Sequence, residues 1–269
     1  MKLPEYEELL LNVENGVLTI TINRPHKRNA MNEAVVKGIM ESFDAIAGNL
    51  DIRAVVLRGA EGHFCAGGDI SGMKGTSSQE EAERAAWEFN RVFGRLCTQV
   101  NRAPQVVITM LEGAVLGGGF GLACISDVAI ADINAKFGMP ETGLGIVPAQ
   151  IAPFVVMRIG ITQARRLALL GERVNGEQAR ELGIVHYCCD GVAAMEATLK
   201  EVLGKLRRCA PAATAATKQL ILDVGSADLE QLLDRAADDF TRAINSAEGK
   251  EGTGAFVEKR LPSWAQGEQ

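Results

Sequence analysis

Residues 112–123 read EGAVLGGGFGLA, and this stretch is the most informative part of the sequence about the fold. The apolar run 106–111 before it predicts a buried strand, and the small and apolar residues after the glycines predict the start of a helix. Glycines at such a turn let backbone N–H groups face a ligand directly, and a helix N-terminus favours negative charge there. The stretch therefore indicates a strand, a tight turn and a helix whose backbone can receive an anionic group.

A second small-residue turn lies upstream, where residues 63–70 read HFCAGGDI after the apolar strand 54–58. Two such turns, each following a strand, can place two N–H donors on one oxygen atom. That arrangement is an oxyanion hole, which stabilises the charge that develops on a carbonyl oxygen in the transition state.

Composition sets limits on the class of protein. The chain has 269 residues, 47% of them hydrophobic, so it can bury a substantial core. Its net charge of −6 argues against nucleic acid as the main partner. No apolar run reaches the ~18–20 residues of a membrane span, and the N-terminus has no signal-peptide pattern. The six cysteines show no Cys-x-x-Cys spacing. We therefore expect a cytoplasmic protein with reduced thiols, no membrane partner and no metal site.

The pattern along the chain predicts a β/α core followed by a helical tail. Asn15-Gly16 is typical of a hairpin between strands 8–13 and 17–23, and Asn32 is a good N-cap for a helix that runs to about residue 49. Further predicted elements are a helix at 79–100, a strand at 128–131, and helices at 162–170, 176–182, 195–208, 212–222 and 229–245.

Six motifs occur in a fixed order over nearly the whole length. They are Asn23-Arg24-Pro25 with Asn29-Ala30-Met31, then residues 64–70, residues 113–123, Phe137-Gly138-Met139-Pro140-Glu141, residues 170–173 with residues 179–185, and residues 256–260. With these motifs the chain resembles the enoyl-CoA hydratase/isomerase (crotonase) family. The resemblance implies an α/β fold, with a spiral of ββα units over residues 1–195 and a C-terminal helical trimerisation region over residues 196–269. It also implies an acyl-CoA thioester substrate, a homotrimer or a dimer of trimers, and no cofactor, since CoA is part of the substrate.

The resemblance also implies roles for individual residues. The backbone N–H groups of Ala66 and Gly118 are expected to hold the thioester oxygen, and Glu141 is expected to be the catalytic acid/base. Contacts to substrate or CoA are expected from Lys27, Arg28, Ala30, Ala66, Gly67, Gly68, Asp69, Ile70, Gly118, Gly121, Phe256 and Lys259. Alternatives from the residues themselves are a solvated basic loop at Lys27 and Arg28, a backbone cap at Asp69 and a packing role for Phe256.

Gly121 departs from the common family pattern. Two-glutamate hydratases have Glu at this position, so the residue that would hold the attacking water is absent. Together with residues 144–156, this departure resembles bacterial hydratases of 3-branched glutaconyl-CoA esters, namely methylglutaconyl-CoA in leucine catabolism and isohexenylglutaconyl-CoA in acyclic terpene catabolism. We expect Gly121 to leave space or a water site near the branch. Glu141 would then orient the water at Cβ and also protonate Cα.

Three functions are open at this point. The first is hydration of a 3-branched, carboxylated enoyl-CoA. The second is Δ3-Δ2 enoyl-CoA isomerisation, which needs only one carboxylate to move a proton. The third is a non-catalytic acyl-CoA- or RNA-binding scaffold of the same fold, against which the acidic composition and the two glycine turns count.

Overall fold

A computed structural model describes residues 3–69, 78–226 and 228–266, so Ile70 lies outside the described residues. The strands are β1 (Leu9–Glu14), β2 (Val17–Ile22), β3 (Ala54–Gly59), β4 (Val106–Leu111), β5 (Ala114–Leu116), β6 (Val128–Asp132), β7 (Lys136–Gly138), β8 (Arg173–Val174) and β9 (Tyr187–Cys189). The helices are α1 (Glu33–Ile46), α2 (Gln79–Arg102), α3 (Gly118–Ile125), α4 (Ala152–Leu170), α5 (Gly176–Glu181), α6 (Val192–Leu206), α7 (Pro211–Leu222), α8 (Leu229–Asn245) and α9 (Ala247–Val257).

The larger sheet has the strand order β1-β2-β3-β4-β6-β9. Only the β1–β2 hairpin is antiparallel, and it turns at Asn15 and Gly16, both of which have positive φ as a type I′ turn requires. The other four pairings are parallel. The predicted hairpin is therefore confirmed, and its second strand joins a parallel β/α sheet.

The central strands are buried on both faces because helices cover both sides. On β3, Val55 and Leu57 belong to the main core together with α1, whereas Ala54 and Val56 pack with Met195 and Val202 of α6. The boundary predicted between residues 195 and 196 falls inside α6. Since α6 covers one face of the sheet, it belongs structurally with the sheet.

Helix α1 follows the sequence pattern closely. The Asn32 side chain accepts a hydrogen bond from the Val35 N–H, and the apolar residues at helical spacing, Val35, Ile39, Phe43 and Ile46, are buried. Among the described residues, no helix has the length and apolar character needed to cross a membrane.

A second, smaller sheet with the order β5-β7-β8 was not predicted, because its strands have only two or three residues. Its strand β5 is bridged to residue 65 through Cys65–Val115, and the same segment is bridged to the residues before α1 through Met31–Gly68. These bridges bring the two glycine turns together.

Candidate active site

A cavity of about 640 Å³ lies where the two glycine turns meet. Its described lining comes from both turns, from one face of α2 and from residues 140–151. The lining residues are Met31, Val36, Ala66, Gly67, Gly68, Ala86, Phe89, Asn90, Phe93, Gly117, Gly118, Pro140, Glu141, Leu144, Ile146, Val147, Pro148, Ala149, Gln150 and Ile151. Ala66, Gly67, Gly68, Gly118 and Glu141 are thus brought together as the sequence predicted.

The first turn presents a free N–H at Gly68. Residues 67 and 69 both bond to Met31, because the Met31 N–H donates to the Gly67 carbonyl at 2.8 Å and the Asp69 N–H donates to the Met31 carbonyl at 2.8 Å. The Gly68 N–H between them therefore points away from Met31, and no acceptor for it lies among the described residues.

Ala66 does not match its predicted role as a donor. Its N–H donates to the Arg28 carbonyl at 3.0 Å, so this group is already engaged in the fold. The expectation that Ala66 supplies one of the two oxyanion donors is wrong on this geometry, and the unengaged donor of this turn belongs to Gly68. Both residues are small, so composition alone does not distinguish them.

The second turn presents the N–H of Gly118. Gly117 has φ 51° and ψ −117°, a conformation that favours glycine, and Gly118 is the first residue of α3. The first N–H groups of a helix have no intrahelical acceptor, and none is found for Gly118 within the described part of the chain. A Cβ at Gly118 would lie 2.9 Å from Met31 Cε and 3.0 Å from Phe93 Cζ, so this turn is closely packed.

The carboxyl group of Glu141 stands against the second turn, at the point where the first turn approaches it. A Cβ built on Gly117 would lie 3.0 Å from Glu141 Oε1 and 3.6 Å from Gly67 Cα. The Oε2 atom of Glu141 is buried and has no hydrogen-bond partner among the described residues. Burial raises the pKa of this carboxyl group above its ordinary value of 4.5. An unpartnered buried acceptor is unfavourable for folding, so its presence in a cavity indicates a chemical role.

Arg24 holds the first turn in place. This residue is only 6% exposed. Its Nε donates to Glu8 Oε1 at 2.7 Å, its Nη2 donates to Asp69 Oδ2 at 3.0 Å, and its Nη1 donates to the Ala30 carbonyl. Asp69 and Ala30 therefore contribute to the site through Arg24, and neither is among the described residues that line the cavity.

Four further residues predicted to contact substrate or CoA lie outside the described lining of the cavity. Lys27 and Arg28 have exposed side chains on a short 3₁₀ turn, Pro25–Lys27, and its C-cap. Phe256 is 84% exposed near the end of α9, and Lys259 is exposed just after it. Their contacts to CoA stay predictions.

Gly121 makes room for a protein side chain rather than for substrate. A Cβ at Gly121 would lie 2.3 Å from Ile151 Cγ2, and Gly121 is buried outside the described lining, whereas Ile151 is part of it. The expectation of free space or a water site at Gly121 is therefore wrong. Ile151 fills that space and makes this wall of the cavity apolar.

The Gly121–Ile151 contact leads to a stability prediction. Gly121→Ala should destabilise the protein by about 1–3 kcal/mol, because the new methyl group overlaps the Ile151 side chain. Ile151→Leu removes the branch at Cβ, so the double variant should lose less than the sum of the single losses. Urea denaturation of the four proteins measures this coupling. Gly204→Ala in α6, where a Cβ meets open space, is the control and should not destabilise.

Sequence reasoning missed the wall formed by α2. Ala86, Phe89, Asn90 and Phe93 are spaced so that they share one helix face, and this face lines the cavity. The only signal was the amphipathic pattern of the helix, which also fits a face packed on the core. The run 144–156, which departs from the common family pattern, contributes Leu144 and residues 146–151 to the lining of the cavity.

Comparison with known proteins identifies the family of the chain. The family model for enoyl-CoA hydratase/isomerase matches residues 12–267. The chain belongs to the enoyl-CoA hydratase/isomerase family. A short-chain-enoyl-CoA hydratase of Clostridium acetobutylicum is 33% identical over 95% of this chain and 97% of its own length. The 2,3-dehydroadipyl-CoA hydratase of Escherichia coli is 30% identical over 96% of this chain and 98% of its own.

The solved structure of AtuE from Pseudomonas aeruginosa is 55% identical and superposes with a TM-score of 0.92, covering 97% of this chain and all of that one. The predicted fold is therefore confirmed, with its mixed α/β core and C-terminal helical region. The chain is an enzyme with enoyl-CoA hydratase/isomerase activity, and the hydratases of this family are carbon–oxygen lyases. An acyl-CoA thioester is the matching class of substrate.

Proposed function

We propose that this enzyme hydrates 3-branched, carboxylated enoyl-CoA thioesters such as isohexenylglutaconyl-CoA or methylglutaconyl-CoA. The observation that carries the proposal is the buried Oε2 atom of Glu141, which has no partner among the described residues and lies where two glycine turns with free N–H groups meet. Gly68 and Gly118 are the proposed oxyanion donors. They hold the thioester oxygen while Glu141 faces the adjacent carbon atoms.

Hydration then needs a single carboxylate. Ionised Glu141 takes a proton from water as the water oxygen bonds to Cβ, and the π electrons of the double bond move toward the thioester oxygen. The N–H groups of Gly68 and Gly118 stabilise the resulting enolate. The carboxylic acid then returns the proton to Cα, which completes the addition of water and restores the ionised enzyme.

The size and character of the cavity are suited to an acyl group and leave room for a branch. Its volume of about 640 Å³ lies within the range of roughly 300–1,000 Å³ typical of small-molecule sites. Phe89, Phe93, Val147 and Ile151 give it apolar walls on two sides. This argument does not depend on Gly121, because the Ile151 side chain fills the space beside that glycine.

The second candidate is Δ3-Δ2 isomerisation. It is favoured by one specific observation, which is that Glu141 is the only acid among the described residues that line the cavity. A single carboxyl group is sufficient to carry a proton between Cα and Cγ. A relative of 29% identity, a trans-2-decenoyl-[acyl-carrier-protein] isomerase of Streptococcus mutans, shows that isomerases occur in this family.

Turnover in ¹⁸O-labelled water separates the two reactions. A panel of enoyl-CoA thioesters that includes 3-methylglutaconyl-CoA, crotonyl-CoA and a Δ3-enoyl-CoA should show ¹⁸O in the product of the branched, carboxylated substrate. Rapid conversion of the Δ3-enoyl-CoA without label, and no hydration of 3-methylglutaconyl-CoA, would instead establish the isomerase.

The pH profile tests the state of Glu141. Hydration needs this carboxyl group ionised, and burial raises its pKa above 4.5. The value of kcat/KM should therefore increase with pH through a midpoint above 4.5 and then level off. Glu141→Asp should change the midpoint of this increase or reduce its size. A midpoint at or below 4.5 would contradict a buried general base.

We also propose a homotrimer or a dimer of trimers. Leu229, Leu233, Phe240 and Ile244 of α8 are exposed in the single chain, and their spacing places them on one face of the helix. An apolar face of this kind favours contact with a second copy. Sedimentation analysis of the wild type and of Phe240→Asp tests this, because the charged variant should shift the assembly toward smaller species.

A further inference from the structure

Asn90 and Gln150 form a polar spot in the otherwise apolar part of the cavity. The described lining contains only three polar side chains, namely Glu141, Asn90 and Gln150, and it contains no lysine or arginine. A substrate carboxylate inside this cavity must find hydrogen-bond donors, because a buried charge without partners is strongly unfavourable. Asn90 and Gln150 are the side-chain donors that the described lining offers.

The orientation of both amides is set by Arg91. A guanidinium group can only donate, so the atom of Gln150 that lies 3.5 Å from Arg91 Nη1 is the oxygen Oε1. The Gln150 Nε2 group consequently faces Asn90 and donates to Asn90 Oδ1 at 2.8 Å. This leaves the Nδ2 group of Asn90 as the end of the chain, with no acceptor among the described residues.

Gly94 allows this arrangement on α2. A Cβ at Gly94 would lie 1.9 Å from Gln150 Oε1 and 2.7 Å from Arg91 Nη1, so any larger residue would displace the contact. Glycine inside a helix lowers the stability of the helix. At position 94 this cost is linked to the close approach of Gln150 and Arg91, which a side chain would block. The positive charge of Arg91 thus polarises a short chain of hydrogen bonds that ends in an unused donor.

We infer that Asn90, with Gln150 and Arg91 behind it, binds the free carboxylate of the acyl group and selects carboxylated thioesters. The inference rests on the proposed function, since it gives the carboxylated substrate its binding partner. Asn90 is then a specificity residue, and Gln150 and Arg91 are positioning residues.

Calorimetric binding of two saturated ligands tests the subsite without catalysis. 3-Methylglutaryl-CoA and 3-methylbutyryl-CoA share the branch and differ in the carboxylate. The wild type should bind the carboxylated ligand about tenfold more tightly or better, as a charge-assisted hydrogen bond provides. Asn90→Asp, which replaces the donor by a negative charge, should remove this preference and change binding of 3-methylbutyryl-CoA less than about threefold. Asn134→Asp, at an exposed site, is the control for charge.

Two further measurements make the result decisive. If Asn90→Asp does not fold, Gln150→Leu separates Arg91 from Asn90 and should reduce the same preference. The subsite is overturned if the wild type shows no preference between the two ligands, which includes binding neither of them. It is also overturned if the variant loses the same affinity for both ligands.

Turnover of 3-methylglutaconyl-CoA is measured separately. If the enzyme turns this substrate over but shows no binding preference, the proposed hydratase activity stands and the carboxylate subsite is wrong. If it shows the preference but no turnover, the subsite stands and the proposed hydratase activity is wrong.

Discussion

Glu141→Gln is expected to lower turnover of the branched substrate by a factor on the order of 10²–10⁴, which is the usual contribution of a general acid/base. The amide has the shape of the carboxyl group but cannot accept a proton from water or deliver one to Cα. Steady-state kinetics with 3-methylglutaconyl-CoA measures the loss. Retention of more than about a tenth of wild-type turnover would show that Glu141 is not the only proton carrier.

The same variant should be more stable than the wild type at neutral pH. The pKa of Glu141 is raised in the folded state, so the native protein binds more protons than the unfolded chain between pH 4.5 and the raised pKa. Stability is therefore lost as the pH increases through this window, and Gln removes that loss. Thermal denaturation at pH 4.5 and pH 7 should show a larger gain at pH 7.

Glu112→Gln is the matched control. Burial also raises the pKa of Glu112, but this residue is not among the described residues that line the cavity. This control should gain stability at neutral pH and keep its turnover. If Glu112→Gln lost activity to the same extent as Glu141→Gln, the assignment of the proton carrier would be wrong.

Gly118→Pro should reduce kcat by a factor on the order of 10²–10³, which is the usual effect of removing one oxyanion donor. Proline lacks the N–H but is accepted at the first position of a helix, and Gly118 is the first residue of α3. The change therefore removes the donor at a place where the backbone tolerates the ring.

Gly118→Ala separates this effect from crowding. Alanine brings the same Cβ toward Met31 and Phe93 but keeps the N–H. We expect the alanine variant to be far more active than the proline variant. Equal losses in the two variants would mean that packing at this turn, rather than the hydrogen bond, controls turnover.

Local signals explain which parts of the fold were predictable. The Asn15-Gly16 turn, the Asn32 cap and the periodic helices depend on neighbours in sequence, and they agree with the structure. The strands of the smaller sheet, such as Arg173–Val174, are too short to show a period and form only because a partner strand is present.

The site was predictable in part for the same reason. The glycine turns and Glu141 are recognisable as motifs, and they meet at the cavity. Whether Ala66 or Gly68 has the free N–H depends on how residues 66–69 pair with the segment that contains Met31. The register of this pairing cannot be predicted from a local sequence pattern. The filling of the Gly121 position by Ile151 is likewise a contact between distant residues.

The three partners of the Arg24 guanidinium group connect the rim of the fold with the reaction centre. One of its partners, Glu8, immediately precedes the edge strand β1, while the other two, Ala30 and Asp69, flank the segments that set the direction of the Gly68 N–H. The guanidinium group thereby couples the position of the Gly68 N–H to the outer edge of the large sheet. A disturbance at this edge would therefore reach the oxyanion donor, although the two lie some sixty residues apart in the chain and Glu8 is outside the described lining of the cavity.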